Sequence, residues 1–361
     1  MQRHAARATI LAISLALIPC MAQAEGEEQN ACNGKQPGIG EIIHQPSLYI
    51  FHLENDLFNG TDRDYTSGVK FSWVSANLKD FLYDPCLPQW VRKLNQLSED
   101  IHPRGDTSRN MVVTAGQAMY TPRDRQPTGL ISTDRPYAGW LYLGLGYNAR
   151  NEWRMDSVEA DIGVVGPAAL AKQSQNFIHD LRGRPRFNGW DNQLKNELGV
   201  QLVAERKRRS WNSDDSVHPQ FDAISHYGIS IGNVKTYLNA GLELRIGNRI
   251  PDDFGTSPIR PTGDSYAPSS AQGAHHFTEG GIHAFLSADA RVVARDIFLD
   301  GNTFADSHHV EKKRFVGDLA AGIAWQWRGG KVTYAQYIRS REFTGQSGTH
   351  GFGSITLSIE R

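Results

Sequence analysis

Residues 238–246 read LNAGLELRI, and the two faces of this stretch have opposite chemistry. Leu238, Ala240, Leu242, Leu244 and Ile246 fall on one side of a period of two, and Glu243 and Arg245 on the other. Successive side chains of a β-strand point to opposite faces, so the pattern predicts a strand that is apolar on one side and charged on the other. In a soluble sandwich the apolar face meets a second sheet. In an outer-membrane barrel it meets lipid, and the charges point into the lumen.

The same alternation recurs along the chain. Tyr49, Phe51 and Leu53 share a face, as do Val69, Phe71 and Trp73; Leu141, Leu143, Leu145 and Tyr147; Val158, Ala160, Ile162 and Val164; and Leu319, Ala321, Ile323, Trp325 and Trp327. A tilted strand crosses a bilayer with about 9–11 residues. Segments of that kind are read at 46–54, 65–76, 110–120, 138–150, 153–165, 195–208, 219–231, 234–248, 279–295, 312–327, 330–342 and 351–360. An even count of about twelve suits a bacterial single-chain barrel with both ends on the periplasmic side. Gly144, Glu243, Arg245, Asp318 and Gln326 read as lumen residues opposite smooth aliphatic faces, and Trp73, Trp140, Tyr147, Trp325 and Trp327 as interface girdles. Together these features predict an all-β fold, an antiparallel transmembrane β-barrel. Asn151, Gly232-Asn233 and Gly329-Gly330 mark tight turns, and 77–109, 121–137 and 249–278 are longer connections.

The beginning of the chain has a different character. MQRHAAR is basic, Ala8 to Ile18 is apolar, and Ala22-Gln23-Ala24 has the small-x-small form of a cleavage site, so 1–24 reads as a secretory signal peptide. Residues 25–45 then form an N-terminal extension and 46–361 the barrel. Export would place Cys32 and Cys86 in an oxidising compartment, where a disulfide between them is possible. After the signal no apolar run approaches 18 residues, so a transmembrane helix is not expected. A net charge of −1, with the basic residues dispersed, gives no reason to expect nucleic acid.

One segment departs from the strand period. AALAKQSQNFIHDL, Ala168 to Leu181, follows Gly166-Pro167 and predicts a short helical insertion. It would set Gln175 and His179 on one face, four residues apart. Between barrel strands, such a helix would cap a rim or dip into the mouth.

Gly228-Ile229-Ser230-Ile231-Gly232 matches the G-x-S-x-G pattern, but it lies in an alternating strand and not on the strand-to-helix turn that hydrolase chemistry needs. P-loop, HExxH and paired CxxC patterns do not occur. The richest cluster of oxygens is ENDLFNGTDRDYT, Glu54 to Thr66. Hard cations such as Ca²⁺ take carboxylate, amide and carbonyl oxygens, although the spacing is not that of an EF-hand. The cluster is either a solvated hairpin or a site where these oxygens converge.

ENDLFNGTDRDYTSGVKFSW (54–73) resembles the opening block of the lipid A 3′-O-deacylase family of outer-membrane enzymes. The resemblance continues in GQAMYTP (116–122), DRPYAGWLYLG (134–144), DIGVVGPAALAKQSQNFIHDL (161–181) and GWDNQLKNELG (189–199), and so covers most of the chain after the signal. It implies a twelve-stranded barrel with its active site between lumen and outer leaflet, acting by calcium-dependent hydrolysis of the 3′-acyloxyacyl ester of lipid A. By this resemblance the catalytic histidine is His179, the glutamine one turn earlier Gln175, the Asn-Asp pair Asn55-Asp56 and the hydroxyl residue Thr66. An imidazole with an ordinary pKa of about 6.5 can take a proton from water near neutrality. A Ca²⁺ held by Asp56, with Asn55 and Thr66 adding ligands or hydrogen bonds, would polarise the ester carbonyl and stabilise the oxyanion. Gln175 would orient the histidine or the substrate.

Two positions depart from the family pattern. Gly183-Arg184-Pro185-Arg186 stands where some relatives carry an acidic residue, and a family lysine in the 121–137 region corresponds to Arg123 or Arg125. Arg123 and Arg125 would suit lipid A phosphates or remain solvated. Placed by strand period, Asn55, Asp56 and Thr66 face the site, and Thr61, Asp62, Arg63 and Asp64 form the solvated tip. Two other readings compete with the deacylase: an outer-membrane phospholipid esterase, and a non-enzymatic barrel serving as pore or scaffold.

Overall fold

Strands that each carry an apolar face toward lipid can satisfy their backbone groups only by pairing on both edges, which closes the sheet. The computed structural model, which describes residues 47–56, 64–75, 108–213, 218–256 and 280–361, has this closure. Its strands are β1 (Leu48–Asn55), β2 (Asp64–Val74), β3 (Ser108–Thr121), β4 (Ala138–Arg150), β5 (Arg154–Val165), β6 (Glu197–Asn212), β7 (Gln220–Gly232), β8 (Lys235–Gly247), β9 (Gly281–Asp296), β10 (Phe315–Trp327), β11 (Gly330–Arg339) and β12 (His350–Glu360). Every neighbouring pair is antiparallel, and β1 closes on β12 with Leu48 opposite Glu360 and Asn55 opposite Gly353. The expected twelve-stranded barrel is therefore observed. Residues 1–46, with the expected signal peptide and extension and Cys32, as well as Cys86 and the expected hairpin tip at Thr61, Asp62 and Arg63, lie outside the described residues, whereas Asp64, expected in that tip, begins β2 opposite Thr121.

The stretch 238–246 behaves as its pattern requires. Leu238, Leu242, Leu244 and Ile246 are exposed on the outer face, and Glu243 and Arg245 are buried in the lumen. Trp140 corrects the girdle assignment: it has the inward parity of β4, is buried and stacks on Tyr142 at 5.4 Å between ring centroids. Strand β6 runs on to Asn212 because a bulge between Arg209 and Trp211 absorbs one residue without ending the ladder.

Charged residues fill the lumen, and many of them are paired. Lys331 Nζ lies 2.7 Å from Asp253 Oδ2, Arg245 pairs with both Asp222 and Asp253, and Arg339 Nε donates to Asp318 Oδ1 at 2.8 Å. Asp253 belongs to the segment after β8 that folds back inside the wall. Its neighbour Phe254 sits beneath the guanidiniums of Arg150 and Arg209, 5.7 and 5.2 Å from the ring centroid. Toward the other end a short helix, α2 (Ile297–Asp300), stacks Phe298 on Tyr120 at 4.0 Å, with Lys235 Nζ 5.3 and 5.2 Å from the Tyr120 and Phe298 rings. In an open channel the inward charges would meet water. Lys70, Arg245, Asp253, Asp318 and Lys331 are all buried.

Candidate functional site

The connection from β5 to β6 carries the helical residues. Pro167–Ala169 form a 3-10 turn, and a separate helix, α1 (Ala171–Leu181), follows. The single helix expected over 168–181 is thus broken at Leu170, which takes a left-handed conformation with φ 59° and ends one element as it starts the next. Ties to the wall impose the break: Gly166 N donates to Gly139 O at 3.0 Å, and Gln117 Nε2 to Ala169 O at 2.6 Å.

These ties also settle which side of the wall the helix occupies. Gly139 shares the outward parity of Leu141, Leu143 and Leu145, and Gln117 that of Val113 and Ala115. A Cβ on Gly139 would come within 2.6 Å of Ala171 Cβ and 3.0 Å of Ala169 Cβ. The helix therefore packs on the outer, lipid-side face of β3 and β4 and does not enter the mouth. Only a residue without a side chain allows that approach.

On α1, Ala171, Gln175 and His179 are buried and lie four residues apart along one face. Leu170, Phe177, Ile178 and Leu181 are exposed, Phe177 at 67% and Leu181 at 74%. The buried face meets a cluster of Met119, Tyr137, Phe187 and Trp190. Tyr137 lies 5.1 Å from Trp190 between ring centroids, and Gly189 is bare because a Cβ there would meet the Tyr137 ring at 2.6 Å. Burial pushes the Tyr137 phenol up to about 12, the Gly189 backbone offsetting part of that rise, so its proton stays on.

Hydrogen bonds fix the two polar side chains. His179 Nδ1 is 2.7 Å from Pro185 O. A carbonyl can only accept, so Nδ1 carries the hydrogen and, in the neutral ring, Nε2 keeps the lone pair. Phe187 stands edge-on to the His179 ring at 5.8 Å. Trp190 Nε1 donates to Gln175 Oε1 at 2.7 Å. An indole N–H can only donate, which sets the amide orientation and leaves Gln175 Nε2, buried and without a hydrogen-bond partner among the described residues, as the donor turned to the site. Asp180, beside the histidine, is engaged outside the site by Arg186, whose Nε donates at 2.7 Å and whose hydrogen bonds hold the carboxyl below its usual range.

Sequence reasoning named Gln175 and His179 but missed Trp190, Phe187 and the Pro185 carbonyl, whose roles depend on the 182–196 segment folding back over the helix. Its signal was available: Gly189-Trp190 places a large indole directly after a residue with no side chain.

The ladder register connects the helix to the β1–β2 hairpin. Asn55 pairs with Ser67, Ser67 with Met119 and Met119 with Gly139, a single row across four strands. Asn55 has the outward parity of Tyr49, Phe51 and Leu53, so it lies on the same face as α1, at the same end of the barrel. Three strand spacings of about 4.8 Å put it about 14 Å from Gly139. That matches the length of α1, 11 residues at about 1.5 Å each, or about 16 Å. Thr66 occupies the bulge between Tyr65 and Ser67, and Asp56 follows β1 fully buried.

Arg123 and Arg125 separate from each other. The Arg123 guanidinium bonds Ser347 Oγ in the β11–β12 connection. Arg125 O accepts from Asn188 N at 3.0 Å, so its loop lies against the segment that carries Phe187 and Trp190.

No group of three or more His, Cys, Asp and Glu converges among the described residues. The side-chain donors described at the hairpin base are hard oxygens, the Asp56 carboxylate and the Asn55 amide. That chemistry suits Ca²⁺ and not zinc or copper.

The family model described as outer membrane protein LpxR matches residues 9–361. Among solved structures, LpxR from Salmonella typhimurium is similar with a TM-score of 0.64 at 18% identity, over 87% of this chain and 99% of that chain, a likeness of fold. The translocator domain of the autotransporter NalP from Neisseria meningitidis matches 98% of this chain and 99% of that chain at 10% identity, with a TM-score of 0.38. No curated protein matches.

Proposed function

The chain belongs to the outer membrane protein LpxR family, the lipid A 3′-O-deacylase family its sequence resembles, and from that membership we propose that it is a calcium-dependent hydrolase that removes the 3′-linked acyloxyacyl group of lipid A. One observation carries this reading: the face holding Gln175 and His179 is turned to the outer surface of the wall, at the end of the barrel where Asn55 shares that surface. A site on the lipid side is reached by a membrane lipid moving in its own leaflet. The lumen, filled with ion pairs, gives no comparable support to a pore.

His179 acts as general base at Nε2, because its Nδ1 is committed to Pro185 O. The water it deprotonates attacks the ester carbonyl, and the proton is then returned to the leaving alkoxide oxygen. Gln175 Nε2 donates to the reacting group, with Trp190 holding the amide in that orientation. Asp56, Asn55 and Thr66 would hold the calcium ion. When bound, that ion supplies positive charge where negative charge develops on the carbonyl oxygen. Arg125, whose loop borders the Phe187–Trp190 segment, is the better placed of the two loop arginines to meet a lipid A phosphate.

Mass spectrometry of lipid A from cells making wild type, His179→Ala and Asp56→Ala tests the proposal. The 3′-acyloxyacyl group should disappear with wild type and be retained with both variants. Intact lipid A alongside hydrolysed glycerophospholipids would replace the deacylase with a phospholipid esterase, and no lipid change of either kind would remove the enzymatic reading.

A further inference from the structure

The outer face of the barrel carries a second feature, at the end opposite α1. The outward positions of β5 begin Arg154, Asp156, Val158, Ala160 and Ile162, and those of β6 end Leu202, Ala204, Arg206 and Arg208. Three guanidiniums and one carboxylate thus gather on two adjacent strands, beside the tight 151–153 turn, immediately below an aliphatic band. The outward positions of β8 and β10, Leu238 to Ile246 and Leu319 to Trp327, carry no charge.

The group is organised. Asp156, nearly buried, accepts from Arg154 Nε at 3.0 Å and from Arg206 Nε at 2.7 Å and Nη2 at 3.1 Å. Arg206 Nη1 also lies 3.3 Å from the Tyr227 hydroxyl. The ladder places Asp156 opposite Arg206 and Arg154 opposite Arg208, and Arg208 is exposed. Two guanidiniums are held side by side on one carboxylate with a third beside them, so these four side chains together carry a net charge of plus two. Trp153, Trp211 and Tyr227 are exposed around the group, as aromatic residues are at a bilayer interface.

We propose that Arg154, Arg206 and Arg208 form a binding site for the headgroup of an anionic phospholipid in the periplasmic leaflet. Both strand termini of the closed barrel lie at this end, which in single-chain barrels is the periplasmic one. Guanidiniums present planar pairs of donors that match phosphate oxygens, and the charge complements a phosphodiester without an ammonium partner. The aliphatic band above, Val158, Ile162, Leu202 and Val200, continues as the surface for the acyl chains. Such a lipid would hold β5 and β6 at a fixed depth, and these two strands bear the connection that carries α1.

Native mass spectrometry of the full chain, released from micelles holding equal amounts of phosphatidylglycerol and phosphatidylethanolamine, tests the proposal. Wild type should retain phosphatidylglycerol preferentially. Each arginine near an anionic headgroup contributes about fivefold, so Arg208→Gln should lower the preference about fivefold and Arg206→Gln with Arg208→Gln by more than tenfold. Arg208 is exposed and its side chain makes no hydrogen bond or ion pair among the described residues, so its variant should fold, and raising salt on wild type should weaken the preference with no substitution at all. Equal retention of the two lipids by wild type, or an unchanged preference in Arg208→Gln, would overturn the proposal.

Discussion

Replacing Trp190 with phenylalanine keeps an aromatic ring against Tyr137 and Phe187 but deletes the N–H that donates to Gln175 Oε1 at 2.7 Å. Gln175 is buried, so its oxygen is left without that donor. Turning the amide over would then place an acceptor where Nε2 now points. An unsatisfied buried polar group costs about 1–3 kcal/mol. If the loss falls on the transition state, at about 1.36 kcal/mol per decade the rate drops about 5- to 150-fold. The assay is turnover of defined lipid A in detergent with calcium, and the loss should appear in kcat and leave KM nearly unchanged, because Gln175 meets the reacting group. Gln175→Leu removes the donor directly, so adding Trp190→Phe to it should cost little more, and the coupling should equal most of the Trp190 effect. If the two losses simply multiply, Trp190 acts through packing alone and the orienting role is wrong.

Other consequences are as direct. Gly139→Leu should leave a folded barrel, read as heat-modifiable migration, with activity down at least about tenfold, because a Cβ at 2.6 Å from Ala171 must displace α1; wild-type activity would mean that α1 need not sit against the wall. For Glu342, burial acts to raise the pKa, but Arg135 and Arg339 outweigh it and bring the value from 4.5 down to about 2. The folded value lies below the unfolded one, so this stabilisation is present above about pH 4.5 and lost as pH falls toward 2. Unfolding in detergent should therefore lose up to about 3 kcal/mol across that window in wild type and not in Glu342→Gln; equal slopes would contradict the assignment. Chelation should abolish deacylation, calcium should restore it, and Asp56→Asn should raise the calcium needed; full activity in chelator would remove the metal from the mechanism.

The barrel was legible because its signal is local. In 238–246 each residue's parity alone decides its face, and the same test succeeds at 158–164 and 319–327. Trp140 defeated it because residue type was allowed to outvote parity: an indole near a strand end suggests a girdle, yet its inward position on β4 is filled from the lumen side. The face of the wall on which α1 rests was not legible. It depends on Gly139 being bare and on the hydrogen bonds of Gly166 to Gly139 and of Gln117 to Ala169, which bring in wall residues far from the helix in sequence. Gln175 and His179 could be paired by their helical spacing, whereas Pro185 and Trp190, which fix the state of each, become partners only once the following segment folds back.

The position of His179 along α1 bears on what it can reach. Leu170, Phe177, Ile178 and Leu181 are exposed from the outer side of the barrel, and burying a side chain of that size is worth about 1.5–3 kcal/mol. Four such residues facing water would oppose helix docking, and facing acyl chains they do not. Arg182, Arg184 and Arg186 follow at once, exposed and charged, where a headgroup layer would lie. His179 therefore stands where an apolar surface gives way to a cationic one within three residues. An acyl ester occupies the same boundary in a lipid, between chain and headgroup. On the proposed function, the helix sets the depth of the base in the membrane, and that lateral boundary is the route by which substrate arrives.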